Sequence, residues 1–195
     1  MRASRVAAML LGGIFVPSGW VATSRAEAPP PPLGDDLVLR DDAGRSVPVS
    51  TITAQHRFTV VVFYSNSCPC FAAHVQRLGS LSAELRKRDV AFVAVDSERH
   101  AAGETSQPAE AAPGVPLLRD EGGTLARRLH ARFATEAFVI DRAGEVRYSG
   151  GLDSDRKQLT PTAKMYLHDA LDGLLRSDMP RHQTAKALGC ALRLL

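Results

Sequence analysis

The chain has 195 residues, 45% of them hydrophobic, and a formal net charge of +3. That length fits one domain plus a processed leader, with apolar content enough for a core. Arg2, Arg5 and Arg25 account for the excess charge (24 basic against 21 acidic residues, 21 against 21 without them), and no basic stripe interleaved with aromatics follows, so nucleic acid is excluded as an expected partner.

Residues 1–26 read as a secretory signal. Arg2 and Arg5 form a positive start, Val6 to Val16 an apolar stretch, and Ser24-Arg25-Ala26 offers small residues at the cleavage positions. An uncleaved membrane anchor is the alternative; the apolar stretch is short for that and is broken by Pro17-Ser18-Gly19. The mature chain is therefore expected to be secreted or periplasmic, with no stable membrane insertion after cleavage. Residues 27–35 contain Pro29-Pro30-Pro31-Pro32, a stiff extended tether without a core-forming pattern. A domain over 36–176 and a basic tail over 177–195 complete the expected organisation.

Within the domain, Leu37-Val38-Leu39 and Val47-Pro48-Val49 flank Asp41-Asp42-Ala43-Gly44 as a short hairpin. Phe58 to Tyr64 is a continuous apolar run, read as a buried strand. From Phe71 to Arg88 apolar side chains recur at 71, 75, 78, 81 and 85, a helical period. Val90 to Val95 is a second buried strand, so the three make a strand–helix–strand crossover with two parallel strands. Residues 96–114 read as a loop or frayed helix, Val115 to Leu118 as a short strand, and Asp120 to Ala131 as a short amphipathic helix. Ala137 to Asp141 and Val146 to Tyr148 flank Arg142-Ala143-Gly144-Glu145 as a hairpin, and Tyr166 to Leu175 is a closing amphipathic helix. The pattern is that of a three-layer α/β sandwich with a mixed central sheet, two parallel strands at its centre and an antiparallel hairpin at one edge.

The chemistry concentrates where the first buried strand meets the helix, at Ser65-Asn66-Ser67-Cys68-Pro69-Cys70. Pro69 suits the first helical position, where a missing N–H does no harm. A thiol just ahead of a helix meets unpaired N–H groups and the positive end of the helix dipole, both of which favour the reactive thiolate. The chain has three cysteines, Cys68, Cys70 and Cys190. All lie in the mature part of an exported chain, too few for a framework of structural disulfides and odd in number, which points to chemistry. Cys68 is the expected nucleophile, and Cys70 or Cys190 the thiol that resolves its intermediate. His74, one turn after Cys70, is a candidate for lowering a thiol pKa or for joining the cysteines as a metal ligand, although a partly exposed surface group is the commoner role for such a residue. Arg119 is a lesser candidate beside a thiolate.

These motifs resemble the redoxin group of thioredoxin-fold proteins, close to the AhpC/TSA (peroxiredoxin) superfamily, from about Leu37 to Leu192. The resemblance rests on Asn66-Ser67-Cys68-Pro69, Val115 to Glu121, Glu136 to Asp141, Val146 to Asp153, the closing helix and Gly189-Cys190. It implies a thioredoxin-like fold and a thiol-dependent oxidoreductase that needs no cofactor. Its partners are a protein or small-molecule disulfide, or a peroxide, together with an external thiol reductant. Pro69, Ser65 and Thr135 fall at substrate-binding positions. Two departures stand out. The pair is Cys68-Pro69-Cys70, one residue shorter than the thioredoxin spacing, and Thr135 stands where that family has a cis-proline. Ser65 is the nearest counterpart of the peroxiredoxin threonine. Disulfide exchange is the first expectation, peroxide reduction the second, and a copper carrier using Cys68, Cys70 and His74 the third; a structural domain with idle cysteines is the remaining class.

Overall fold

The computed structural model describes residues 32–99, 110–177 and 183–194. The expected leader and most of the proline tether lie outside the described residues, as does much of the 96–114 loop. The element order is β1 (Val38–Arg40), β2 (Ser46–Pro48), α1 (Val49–Gln55), β3 (Phe58–Tyr64), α2 (Pro69–Arg86), β4 (Val90–Asp96), β5 (Glu110–Ala112), β6 (Val115–Arg119), a 3-10 turn (Glu121–Gly123), α3 (Thr124–Arg128), β7 (Glu136–Asp141), β8 (Val146–Gly151), α4 (Tyr166–Arg176) and β9 (Gln183–Thr184).

The strands form one mixed sheet in the order β2-β1-β6-β4-β3-β7-β8-β9, with β5 paired to β6 alone. β3 and β4 are parallel from Phe58↔Val90 to Tyr64↔Asp96. β6 lies parallel to β4 on its other side, so the centre holds three parallel strands rather than the expected two. β7 runs antiparallel to β3, and β8 to β7. The β7–β8 hairpin is not the edge, because β9 from the tail pairs in parallel with β8.

Every residue of β3 is buried, as its apolar run requires, and the period-2 alternation divides its side chains between two cores. Val60, Val62 and Tyr64 pack with Phe71, Leu78 and Leu85 of α2 and Leu167, Leu171 and Leu174 of α4. Val61 and Phe63 pack on the opposite face with Leu125 and Leu129 around α3 and with Val49 of α1. Two helices on each face of one sheet make the three layers.

Four further differences from the expected elements are physical. Helix α1 was not expected: Val49-Ser50-Thr51-Ile52-Thr53 is rich in β-branched residues, which favour strands, and burial of Val49 and Thr53 overrides that preference. Strand β5 falls in the stretch read as loop. Leu33, at the end of the tether, is buried and donates its N–H to Gly144 O at 2.9 Å, so the tether closes onto the β7–β8 turn. The tail carries β9 and packs Cys190 and Leu192 against the core. No helix among the described residues is long and apolar enough to cross a membrane.

Leu171 is fully buried between α4 and the sheet. Leu171→Ala is expected to lower unfolding stability by about 2–5 kcal/mol. Urea titration of both proteins measures it, and a loss under about 1 kcal/mol would remove α4 from the account of the core.

Candidate active site

β3 delivers the chain to the site and α2 carries it away. Cys68 is the N-cap of α2, with an extended backbone, and its Sγ accepts the Phe71 N–H at 3.4 Å. Pro69 occupies the start of the helix, as its chemistry favours, and is exposed at the rim. Cys68 and Cys70 are each only 1% exposed, while Cys190 is partly exposed.

The tail brings Cys190 across this turn. After β9, Ala185 N–H donates to Ser149 O at 3.0 Å. Thr135 Oγ1 donates to Leu188 O at 3.1 Å, Ala134 N–H to Cys190 O at 2.8 Å, and Leu192 N–H to Arg132 O at 2.9 Å. Phe133 and Ala191 form an antiparallel bridge. Gly189 is required here: a Cβ on it would stand 1.7 Å from Ala134 O. Beyond the cysteine, Arg193 N–H donates to Glu98 Oε1 at 3.3 Å, and its guanidinium lies 3.5 Å from Glu98 and 3.4 Å from Ser67 Oγ. The three cysteine sulfurs consequently lie within 4.8 Å of one another.

The loop that receives the tail is held from behind. Glu136 Oε2 accepts the N–H groups of Arg132 and Phe133 at 2.7 and 3.1 Å. Burial raises the Glu136 pKa, and those bonds only moderate it. Thr135 has φ +76°, an unusual backbone for a β-branched residue, and its N–H donates to Phe63 O of β3 at 2.8 Å. Thr135 therefore spends both its backbone donor and its hydroxyl within the chain.

Burial pushes the Cys68 thiol up, but hydrogen bonds from the Cys190 thiol and from the amides of Phe71, Cys190 and Cys70 outweigh it, and its pKa falls below the ordinary value. The same contact acts oppositely on Cys190. Its hydrogen bond to Cys68, then burial and the charge on Cys68, raise it to about 11. Of the pair, Cys68 gives up its proton first and Cys190 last.

His74 is not a surface group. It is 2% exposed, with Nδ1 2.7 Å from Cys70 O and Nε2 3.1 Å from Asp153 Oδ1. Both neighbours offer lone pairs, an arrangement that favours the doubly protonated ring. Burial opposes that charge, but Asp153 and the Cys70 carbonyl more than compensate, and the His74 pKa is raised. Asp153 also takes the Arg77 guanidinium and the Asp155 N–H (2.8 Å to the latter), and its pKa is lowered in spite of burial. With both nitrogens engaged, His74 cannot be a metal ligand in this state, which removes it from the expected copper set, and it is not among the groups that shift Cys68. It anchors the first turn of α2.

Ser65 directs its hydroxyl to Glu98 Oε2 at 2.8 Å. Arg119 ends β6, in register with Asp96 of β4 and Arg40 of β1, and is not among the groups that shift Cys68. Asp120 accepts from Ser97 Oγ and from the N–H groups of Leu125 and Ala126, joining the end of β4 to α3. Sequence reasoning gave no role to Asp153, Arg77, Glu98 or Glu136, although Glu136 and Asp153 fall within stretches that carry the family resemblance. It also missed Arg193, three residues after Cys190.

The AhpC/TSA family profile matches residues 33–149. The chain belongs to the AhpC/TSA family. That membership makes it a thiol-dependent oxidoreductase in the general sense. A hypothetical protein of Sinorhizobium meliloti 1021 is 21% identical with a TM-score of 0.71, over 88% of this chain and 97% of that one. An uncharacterized conserved protein of Geobacillus kaustophilus is 22% identical with a TM-score of 0.72, over 88% and 94%. The bacterioferritin comigratory protein of Xanthomonas campestris, described for its alkyl peroxide reduction activity, is 18% identical with a TM-score of 0.53, over 79% and 97%. At these identities the likeness establishes the thioredoxin-like fold. None of the curated proteins matches the sequence.

For this AhpC/TSA member, thiolate ultraviolet absorbance against pH, wild type minus Cys68→Ser, is expected to show a midpoint below the free-cysteine value of about 8.5. Cys190→Ala removes a hydrogen-bond donor and should move that midpoint upward; an unchanged midpoint would sever the link between the two thiols. The His74–Asp153 pair gives a second expectation. A raised histidine pKa contributes stability that is present below about 6.5 and lost as pH rises through the folded value; a lowered aspartate pKa contributes stability present above about 3.9 and lost as pH falls. The stability difference between wild type and His74→Gln should therefore be largest between these limits and shrink above them. A difference independent of pH would mean the ring is neutral.

Proposed function

We propose that this protein is an exported thiol–disulfide oxidoreductase in which Cys68 is the nucleophile and Cys190 the resolving thiol. The observation that carries this reading is the Cys190 sulfur within 4.8 Å of Cys68 at the start of α2, beside a Cys68 whose pKa is lowered. The Cys68 thiolate attacks one sulfur of a substrate disulfide. A Cys68–substrate bond forms, the substrate bond breaks, and the departing sulfur leaves as a thiolate that takes a proton. Cys190 lies beside Cys68 to supply that proton. Its own thiolate then attacks the mixed disulfide at Cys68, forming a Cys68–Cys190 disulfide and releasing the second substrate thiol. The substrate disulfide is reduced by two electrons and the cysteine pair is oxidised by two. An external thiol reductant restores the pair.

Cys70 is the less suited resolving thiol. Its sulfur lies within the same 4.8 Å, but it follows Cys68 by only two residues and its backbone is fixed in the first turn of α2. Pro69 is exposed at the rim, where a substrate strand can touch it.

Peroxide reduction at Cys68 is the second reading, favoured by AhpC/TSA membership. There the thiolate takes an oxygen to become a sulfenic acid while the peroxide leaves as an alcohol, and Cys190 displaces water to form the same disulfide. The hydroxyl this reading assigns to Ser65 is directed at Glu98 instead, which favours the first.

The reduced mature protein, mixed with glutathione disulfide, is expected to accumulate a mixed disulfide on Cys68 in Cys190→Ser and to form the internal disulfide normally in Cys70→Ser. Cys68→Ser should lower the rate by more than about 100-fold. Trapping in Cys70→Ser instead would transfer resolution to Cys70. Consumption of hydrogen peroxide far faster than by a free thiol, with slow disulfide exchange, would replace the first reading by the second.

A further inference from the structure

The same three thiols satisfy a second chemistry that needs no turnover. Cys68 and Cys70 come from the start of α2 and Cys190 from the tail, with all three sulfurs within 4.8 Å of one another. Three thiolates around one ion, with metal–sulfur bonds of about 2.3 Å as for zinc, stand roughly 4 Å apart in a trigonal plane. The cluster therefore needs to contract by less than about 1 Å to enclose a metal. Among the described residues the group contains no histidine or carboxylate. The nearest turn's histidine, His74, has both ring nitrogens bonded elsewhere.

The donor set selects the ion. Zinc favours four ligands, or three with an open position for water. Here the two helix sulfurs are buried in the core cluster that also holds Phe71, Ala134 and Leu152, and the partly exposed Cys190 packs against it with Leu192, so only the Cys190 side of the group faces solvent. Three soft sulfurs without a hard donor match Cu(I). We propose that Cys68, Cys70 and Cys190 form a three-sulfur site for one Cu(I) ion, the tail supplying the third ligand. Each ligand binds as a thiolate, so filling the site releases the cysteine protons to solvent, and the copper stays in the +1 state throughout. A Cys68–Cys190 disulfide removes two of the three donors, so metal and disulfide exclude each other.

The test uses the mature protein, reduced and free of oxygen, titrated with Cu(I) against a chromogenic Cu(I) chelator. One copper per chain should be retained, with X-ray absorption showing three sulfur neighbours and no nitrogen or oxygen. Cys70→Ser and Cys190→Ser should each weaken retention by more than the roughly 10–100-fold that losing a merely supporting contact costs. The disulfide-oxidised protein should retain none. Wild-type copper with two sulfurs or with a nitrogen neighbour, retention equal in Cys190→Ser, or preference for Zn(II) over Cu(I) would each overturn the proposal. The absorption measurement reads the wild-type chain and so does not depend on the variants folding. Trapping of the mixed disulfide is read with no metal present, so either result stands without the other.

Discussion

The short ladder between the loop at 132–135 and the tail at 188–192 is what turns three dispersed cysteines into one site. Ala134 and Leu192 donate across it, Thr135 adds a side-chain bond, and Gly189 lets the two backbones come close enough. On its other side the loop is bonded to Phe63 of β3 through Thr135 N–H, so the sheet, loop and tail are linked in series. The energetics are close to balance. Each hydrogen bond contributes about 0.5–1.5 kcal/mol net, whereas ordering a residue costs roughly 1–2 kcal/mol. The ladder does not act alone: partial burial of Leu192, the β9 pairing with β8 and the Arg193–Glu98 contact add to it. Cys68 beneath the tail is almost wholly shielded from solvent, so a substrate reaches its sulfur only when the tail moves aside.

Opposite the tail, the start of α2 is fixed by charge. His74, the buried Asp153 carboxylate and the Arg77 guanidinium form a group in which both ring nitrogens of His74 and both oxygens of Asp153 have partners, with Asp155 N–H completing the shell of Asp153. A buried charged group of this kind stabilises little relative to an apolar filling, but loss of one member strands the others, at about 3–5 kcal/mol. Its value lies in position. His74 holds the carbonyl of Cys70, so the helix start that presents both sulfurs is tied to the segment after β8, while Cys190 arrives on a chain with freedom to move.

Much of this was legible in the sequence because it is written locally. The unbroken apolar run of β3, the helical spacing after it and Pro69 between the cysteines fixed the strand, the helix and the N-cap position of Cys68. The third parallel strand was visible as a strand, but its neighbour β4 is a matter of long-range pairing. α1 was hidden by its β-branched residues, and β9 is only two residues long. His74 was misjudged for a similar reason: its partner Asp153 is 79 residues away, and Ser65 and Glu98 are 33 apart. A histidine one turn past a cysteine reads as a ligand or a surface group until the distant carboxylate is in place. Cys190 was readable as a candidate because a cysteine after glycine in a basic tail has few other uses; that the tail crosses α2 depended on the loop geometry at Thr135.

The spacing of the sulfurs bears on which chemistry the resting site is built for. A disulfide needs two sulfurs at about 2.05 Å, whereas a three-thiolate metal site needs them near 4 Å. Separations of up to 4.8 Å are those of free, unbonded thiols, from which either arrangement is reached by a short approach. Cys68 and Cys70 are carried by a helix whose first turn is bonded to His74 and to Phe71 N–H, so neither can advance far. The approach that closes a disulfide therefore belongs to Cys190 and the tail. The reduced site holds its thiols apart, with Cys68 the first to ionise, and the motion that commits it to oxidation is the same motion that would open it to a substrate or withdraw the third ligand from a metal.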